Sequence, residues 1–257
     1  MDASQKMVIK ELVNSSLLQA ERHWANGGNK LILESVSGEE ELRKSTGDAA
    51  PSNIPGYKII QEGETIVDDF IAIVVDMRES TKHMLVTYRG IKINGIQRLF
   101  FETSALLPAL EKTINFQGGG VTEYLGDGVL GFFKKDKEDP KKYVYDAYQS
   151  AIDCIGDTLE IVNDILFDKY ELPPLSIGVG MASSKALISL SGIQGNKHAK
   201  AYGQCVFRAT KLSGGNNAIM VDEMLRGEWP SSKNGNLSFK EHIERKSNVK
   251  GYRIEKK

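Results

Sequence analysis

Residues 70–81 read FIAIVVDMREST, and residues 121–133 read VTEYLGDGVLGFF. The first stretch opens with six consecutive apolar residues, Phe70 to Val75, several of them β-branched, and stops at Asp76. A run this short predicts a buried strand, because it is too brief for a helix of useful length. The second stretch has two strand-like segments, Val121–Leu125 and Val129–Phe133, flanking Gly126-Asp127-Gly128, the residue types of a tight β-hairpin.

Working outward, a helix is expected after the first strand. Ser80 or Thr81 supplies an N-cap, and Ile96, Leu99, Phe100, Thr103, Leu106 and Leu107 mark a long apolar-faced stretch ending at or after Pro108. Tyr143 to Leu166 repeats apolar residues at spacings of three and four and predicts one second long helix. Leu175–Met181 alternates like a strand. The order β-α-β-β-α-β is the ferredoxin-like split plan of an α+β fold. Beyond it come a strand at 201–206 after an Asn/Gly/Lys-rich connection, a helix from Val206 to Leu212 closed by Gly214-Gly215, and a strand at 218–221. A short helix and two terminal strands near His242-Ile243 and Tyr252–Ile254 complete the chain.

Upstream, Lys6 to about Trp24 reads as an amphipathic helix ended by Gly27-Gly28. Residues 36–65, rich in Gly, Ser, Pro and charge, read as a surface connection. The expected organisation is an N-terminal helix and linker over 1–60 and a main domain over 61–257.

The chain has 257 residues, 40% hydrophobic and 26% charged, with a formal net charge of −1, which excludes collagen-like, disordered and disulfide-scaffold classes. That balance gives no general attraction to nucleic acid or to an acidic membrane surface. No signal-peptide core or membrane-length apolar run is seen, so a cytoplasmic protein is expected. Cys154 and Cys205 stand in no metal-ligand spacing and are expected to be buried thiols.

The chemistry is expected at Asp76 and Asp127. They are 51 residues apart in sequence, but in a βαββαβ sheet the first strand lies beside the hairpin, which brings both carboxylates to one edge. Two nearby carboxylates repel each other and gain from a divalent cation, and hard oxygen ligands together with nucleotide phosphates suit Mg²⁺. The strand-to-helix passage from Asp76 through Arg78 to Ser80 and Thr81 sets free backbone N–H groups beside them, a geometry suited to polyphosphate.

IAIVVDMREST, EYLGDGVLGFF, LSIGVGMA and YGQCVFRATKLSGG, in this order, resemble the class III nucleotidyl cyclase catalytic domain over approximately 68–221. The Asp-Met-Arg-x-Ser-Thr variant and a Lys in the closing helix are most similar to the bacterial pyrimidine (uridylate or cytidylate) cyclases of Pycsar antiphage systems. The resemblance implies a ferredoxin-like βαββαβ class III cyclase domain with an N-terminal helical extension. It also implies two Mg²⁺ or Mn²⁺ ions held by Asp76 and Asp127, with the Met77 backbone carbonyl as a further ligand, and contacts to substrate from Arg78, Ser80 and Thr81.

In this family the base-recognising position falls on Glu123. A carboxylate there argues against ATP, yet it accepts equally from a guanine N1–H and N2 amine, a cytosine N4 amine or a uracil N3–H. Gln204 and Cys205 occupy the second base-selection region. Lys211 stands where the family usually has a phosphate-binding Arg, keeping the charge but losing the bidentate fork. Phe207 replaces the usual ribose-orienting Asn, and Arg208, its neighbour about 100° round the helix, is the alternative for that role. His83 and His198 are expected to be solvated.

The implied reaction is attack of the ribose 3′-oxygen on the α-phosphate of UTP or CTP, giving a 3′,5′-cyclic nucleotide and pyrophosphate. Because class III sites form between two catalytic domains, a homodimer is implied, with a separate cyclic-nucleotide-responsive effector downstream. Two other readings stand beside this one: an adenylate or guanylate cyclase, and a degenerate cyclase-fold domain that binds nucleotide without turnover. A diguanylate cyclase is disfavoured by the absence of a Gly-Gly-Asp/Glu-Glu-Phe hairpin.

Overall fold

The computed structural model describes residues 1–27, 49–85, 91–136, 138–139, 141–194, 196–230, 235–244 and 247–257. Helix α1 (Ala3–Asn26) opens with a capping box, in which the Asp2 side chain accepts from the Gln5 N–H and the Gln5 side chain accepts from the Asp2 N–H. It buries Ile9, Val13, Leu17, Ala20 and Trp24, and the Trp24 ring lies 6.0 Å from Phe100 and 6.4 Å from Phe101, both on helix α3 (Gly95–Phe116).

The stretch read as a surface connection departs from that expectation. Its residues 36–48 lie outside the described residues, but strands β1 (Ala49–Ile54) and β2 (Tyr57–Gln61) form an antiparallel hairpin. This hairpin buries Ile54 and Ile60 in a core with Phe70, Ala72 and Val74. Only one described side chain of each strand is fully buried, too few to raise an apolar period above the surrounding polar residues.

Strand β3 (Ile66–Met77) is the middle of the fold. Phe70 to Val75 are all buried because both sheet faces are covered. Ile71, Ile73, Val75 and Met77 join the larger core with α1 and α3, while Phe70, Ala72 and Val74 face the smaller core that includes Cys205 and Ala209. Short helix α2 (Ser80–Leu85) follows it, and α3 begins at an Asn94 N-cap and runs through Pro108. The expected helix is therefore two helices, with residues 86–90 outside the described residues.

Strands β4 (Gly120–Tyr124) and β5 (Gly128–Lys134) form the expected hairpin. Helices α4 (Lys142–Asp153) and α5 (Leu159–Tyr170) replace the single expected helix, separated by a π turn over Cys154–Thr158 in which Gly156 leaves helical geometry at ψ −105°.

Strand β6 (Ile177–Ile193) is far longer than expected. Its distal half pairs with β7 (Asn196–Gly203), so the Asn/Gly/Lys-rich segment is a two-stranded ribbon rather than a connection. Most of its side chains are at least partly solvated, which removes the alternation that marks a half-buried strand. Helix α6 (Gln204–Leu212), strand β8 (Ala218–Asp222), helix α7 (Glu223–Glu228) and strands β9 (Leu237–Glu244) and β10 (Val249–Lys256) complete the chain.

Among the described residues the main sheet runs β4-β5-β3-β6-β8-β10-β9, with β7 on β6. The first four of these strands, all antiparallel, are the ferredoxin-like unit. Gly178 and Gly180 let α6 lie directly on β6: a Cβ at Gly178 would stand 2.0 Å from the Ser213 carbonyl oxygen, and one at Gly180 2.0 Å from that of Ala209.

Candidate active site

The β3–β5 ladder pairs Asp76 with Gly128. At the hairpin tip the Leu125 N–H donates to the Gly128 carbonyl at 2.8 Å, and the Met77 N–H donates to the Asp127 carbonyl at 3.1 Å. A Cβ on Gly128 would lie 2.6 Å from the Val75 carbonyl oxygen and 3.1 Å from an Asp76 carboxylate oxygen, so glycine there allows the tip to close on β3. The two aspartates predicted to converge therefore do so, one at the end of β3 and one at the hairpin tip.

Asp76 is half-buried. Its carboxyl is pushed above the usual carboxylate range by burial, opposed by the Arg78 charge and reinforced by that of Asp127. Arg78 Nη2 donates to Asp76 Oδ2 at 2.6 Å and Nη1 to the Ser213 carbonyl at 3.2 Å. Met77 is fully buried. Glu79 follows at φ +61°, and Ser80 opens α2.

An open pocket of about 440 Å³ joins Asp127 and Gly126 to Ser80 and to an apolar wall of Ile96, Leu99 and Phe100 from α3. A larger hollow of about 530 Å³ at Asp68, Lys134 and Lys135 includes neither aspartate. Thr81 is exposed. His83 is not solvated as expected: its Nδ1 lies 2.8 Å from Glu102 Oε2, and Glu102 also accepts from Arg98 Nε at 2.7 Å. This buried triad fastens α2 to α3.

The donor set fits a hard divalent cation. Two carboxylates on neighbouring strand ends offer oxygen only, which suits Mg²⁺ or Mn²⁺. Among the described residues no cluster of three His, Cys, Asp or Glu side chains forms, so Asp76 and Asp127 leave coordination positions for backbone carbonyls, water and substrate oxygens.

The remaining residues are placed apart from that pocket. Glu123 on β4 meets Lys200 on β7 at 3.1 Å. Sequence reasoning missed Lys200 because it lay in the segment taken for a connection. Phe207 is exposed on α6, with Lys211 Nζ 5.8 Å from its ring centre. Lys211 itself borders a different pocket, with Met220 of β8 and His242 of β9. Gln204 is exposed, whereas Cys205 is fully buried and has no access to a base. Arg208 Nη1 reaches the buried Asp222 at 3.4 Å, and Asp222 also caps α7 through the Leu225 N–H. His198 is exposed on β7.

This is the α+β fold of the class III nucleotide cyclases. The adenylyl cyclase CyaB from P. aeruginosa superimposes with a TM-score of 0.61 at 16% identity, over 76% of this chain and 97% of that one. The guanylyl cyclase Cya2 gives 0.58 at 16% identity, over 74% and 92%. A uridylate cyclase from Treponema porcinum is 28% identical over 179 residues, which are 66% of this chain and 58% of that protein. The chain thus spans less than two thirds of the length of that relative. No known family profile matches the sequence. Among the described residues no helix is long and apolar enough to cross a membrane.

Proposed function

We propose that this protein is a nucleotide cyclase that converts a pyrimidine nucleoside triphosphate, UTP or else CTP, to its 3′,5′-cyclic monophosphate and pyrophosphate. The observation that carries the reading is the juxtaposition of Asp76 and Asp127 at one sheet edge beside the N-terminus of α2. Asp76 and Asp127, with the Met77 carbonyl, would hold two Mg²⁺ or Mn²⁺ ions, which when bound would supply polarisation of the attacking hydroxyl and neutralisation of charge on the leaving pyrophosphate. Arg78, Ser80 and Thr81 lie on the segment that would hold the phosphates. The 3′-oxygen forms a bond to the α-phosphorus as the α–β bridging P–O bond breaks. The hydroxyl proton leaves to Asp76 or to solvent.

Glu123 and Lys200 offer one acceptor and one donor side by side. A uracil presents N3–H to the carboxylate and O4 to the ammonium, and a cytosine presents N4–H to the carboxylate and N3 to the ammonium. Guanine, with N1–H and O6, satisfies the same pair, so the preference for UTP rests on the resemblance to uridylate cyclases. Phe207 closes the base or ribose side, and Lys211 meets phosphate charge.

Glu123, Phe207 and Lys211 stand apart from the pocket at Asp127, which supports a homodimer whose sites each take metal ligands from one protomer and base and phosphate contacts from the other. Its product would act as a second messenger read by a separate effector in bacterial antiphage defence, within the cytoplasm. Mixing two inactive proteins, Asp127→Asn and Lys211→Ala, tests the reading. Exchange at equal amounts should restore about a quarter of wild-type cyclic nucleotide formation, since half the dimers then carry one intact site of two. No recovery, with dimer exchange demonstrated, contradicts a shared site.

A further inference from the structure

Arg78 turns back on the site from the end of β3. Its guanidinium bridges the Asp76 carboxylate, 2.6 Å from Nη2, and the Ser213 carbonyl at the end of α6, 3.2 Å from Nη1. Its Nε is buried and has no hydrogen-bond partner among the described residues. A guanidinium has five donors in a fixed plane, and here one of them meets no acceptor among the described residues. The group is therefore held by the charge of Asp76 and the end of α6 rather than by full satisfaction of its own donors. The side chain stays partly exposed, and Nη1 lies against Gly214, where a Cβ would stand 3.8 Å from it.

We propose that Arg78 is the resident counter-ion of Asp76 in the metal-free protein, displaced from that carboxylate when a divalent cation binds and thereby released to grip the substrate triphosphate. The inference rests on the cyclase reading above. The guanidinium sits 2.6 Å from Asp76 Oδ2, and a divalent cation brought to the same carboxylate is repelled by that positive charge, so the two cations compete for Asp76. Once displaced, the planar fork is matched to a phosphate, on which it pairs bidentately. The exchange conserves charge partners: Asp76 trades a guanidinium for a metal ion, and the guanidinium trades a carboxylate for phosphate oxygens. Metal and nucleotide then favour each other's binding reciprocally.

The test is Mn²⁺ binding to the purified full chain, read from the free-Mn²⁺ paramagnetic resonance signal, with and without 3′-deoxy-UTP, which lacks the attacking hydroxyl. Without nucleotide, Arg78→Gln should bind Mn²⁺ about 10-fold more tightly than wild type, and the tightening that 3′-deoxy-UTP produces in wild type should shrink by about 10-fold. Arg78→Lys keeps the charge but loses the planar fork that grips phosphate bidentately, so it should also lose part of the tightening. Arg78→Gln that binds Mn²⁺ no better than wild type, or Arg78→Lys with undiminished tightening, overturns the proposal. If at the same time Asp76→Asn weakens Mn²⁺ binding, the cyclase reading survives that failure. If wild type binds no Mn²⁺, or Asp76→Asn binds it as wild type does, both fall together.

Discussion

The backbone N–H of Met77 donates to the carbonyl oxygen of Asp127 at 3.1 Å, which stitches the residue after the first site aspartate to the second one. The main chain that carries each aspartate is thereby fixed independently of its side chain. A conservative change at either aspartate removes charge and leaves the frame in place. Asp127→Asn should lower kcat at least ~100-fold, the scale of losing one charge-stabilising group at a reacting centre, with an unaltered circular dichroism spectrum. Steady-state kinetics beside the spectrum checks this.

Gly128 is predicted to be intolerant of a side chain for the same reason. A Cβ there would press on the Val75 carbonyl and on Asp76 itself. Gly128→Ala should therefore reduce activity as severely as an aspartate change while also lowering the melting temperature, a combination that Asp127→Asn does not give.

Gly180 tests how α6 is seated. Its added Cβ would meet the Ala209 carbonyl at 2.0 Å, so Gly180→Ala must lift the helix that carries Phe207 and Lys211. A loss of at least ~2 kcal/mol in denaturant unfolding is expected. The loss should come with a raised KM, because the residues displaced are those assigned to substrate.

Asp68 ties the β1–β2 hairpin to the sheet. It accepts from the Tyr57 hydroxyl at 2.5 Å and pairs with Lys134 at 2.8 Å. Burial raises its carboxyl, but Lys134, Tyr57 and the Asp69 N–H outweigh that and hold it down at about 2. A depressed carboxylate contributes stability above its unfolded value near 3.8 and loses it as pH falls toward 2. Asp68→Asn should thus cost about 1–2 kcal/mol at neutral pH, and the gap from wild type should close between pH 4 and pH 2 in urea titrations.

Much of this was legible from residues alone. The uninterrupted run from Phe70 to Val75 announces a strand covered on both faces, and Gly126-Asp127-Gly128 announces the hairpin that meets it. What escaped had weak local signals. Among its described side chains the β1–β2 hairpin fully buries Ile54 and Ile60 alone, and β7 of the β6–β7 ribbon has no fully buried residue. Gly156 sits in an otherwise helical period, so the π turn hides within it. Lys200 was missed because its partner Glu123 lies 77 residues away, a contact created by strand order and not by spacing. His83 escaped because its partner Glu102 sits on the next helix.

The pairing of Glu123 with Lys200 is predicted to set base selection. Glu123→Ala should raise KM for UTP by at least ~10-fold, the scale of losing a charged hydrogen bond, with kcat changed less. Kinetics with UTP and CTP in parallel would show it, and an unchanged KM for both would remove Glu123 from the base pocket.

The most direct measurement offers the purified protein ATP, GTP, CTP and UTP together at equal concentration with Mn²⁺, identifies cyclic products by mass, and repeats the reaction with Asp76→Ala. The account predicts a cyclic pyrimidine nucleotide, chiefly cyclic UMP, that disappears in the variant. A cyclic purine product, or no cyclic product at all from folded protein that binds nucleotide, would contradict it.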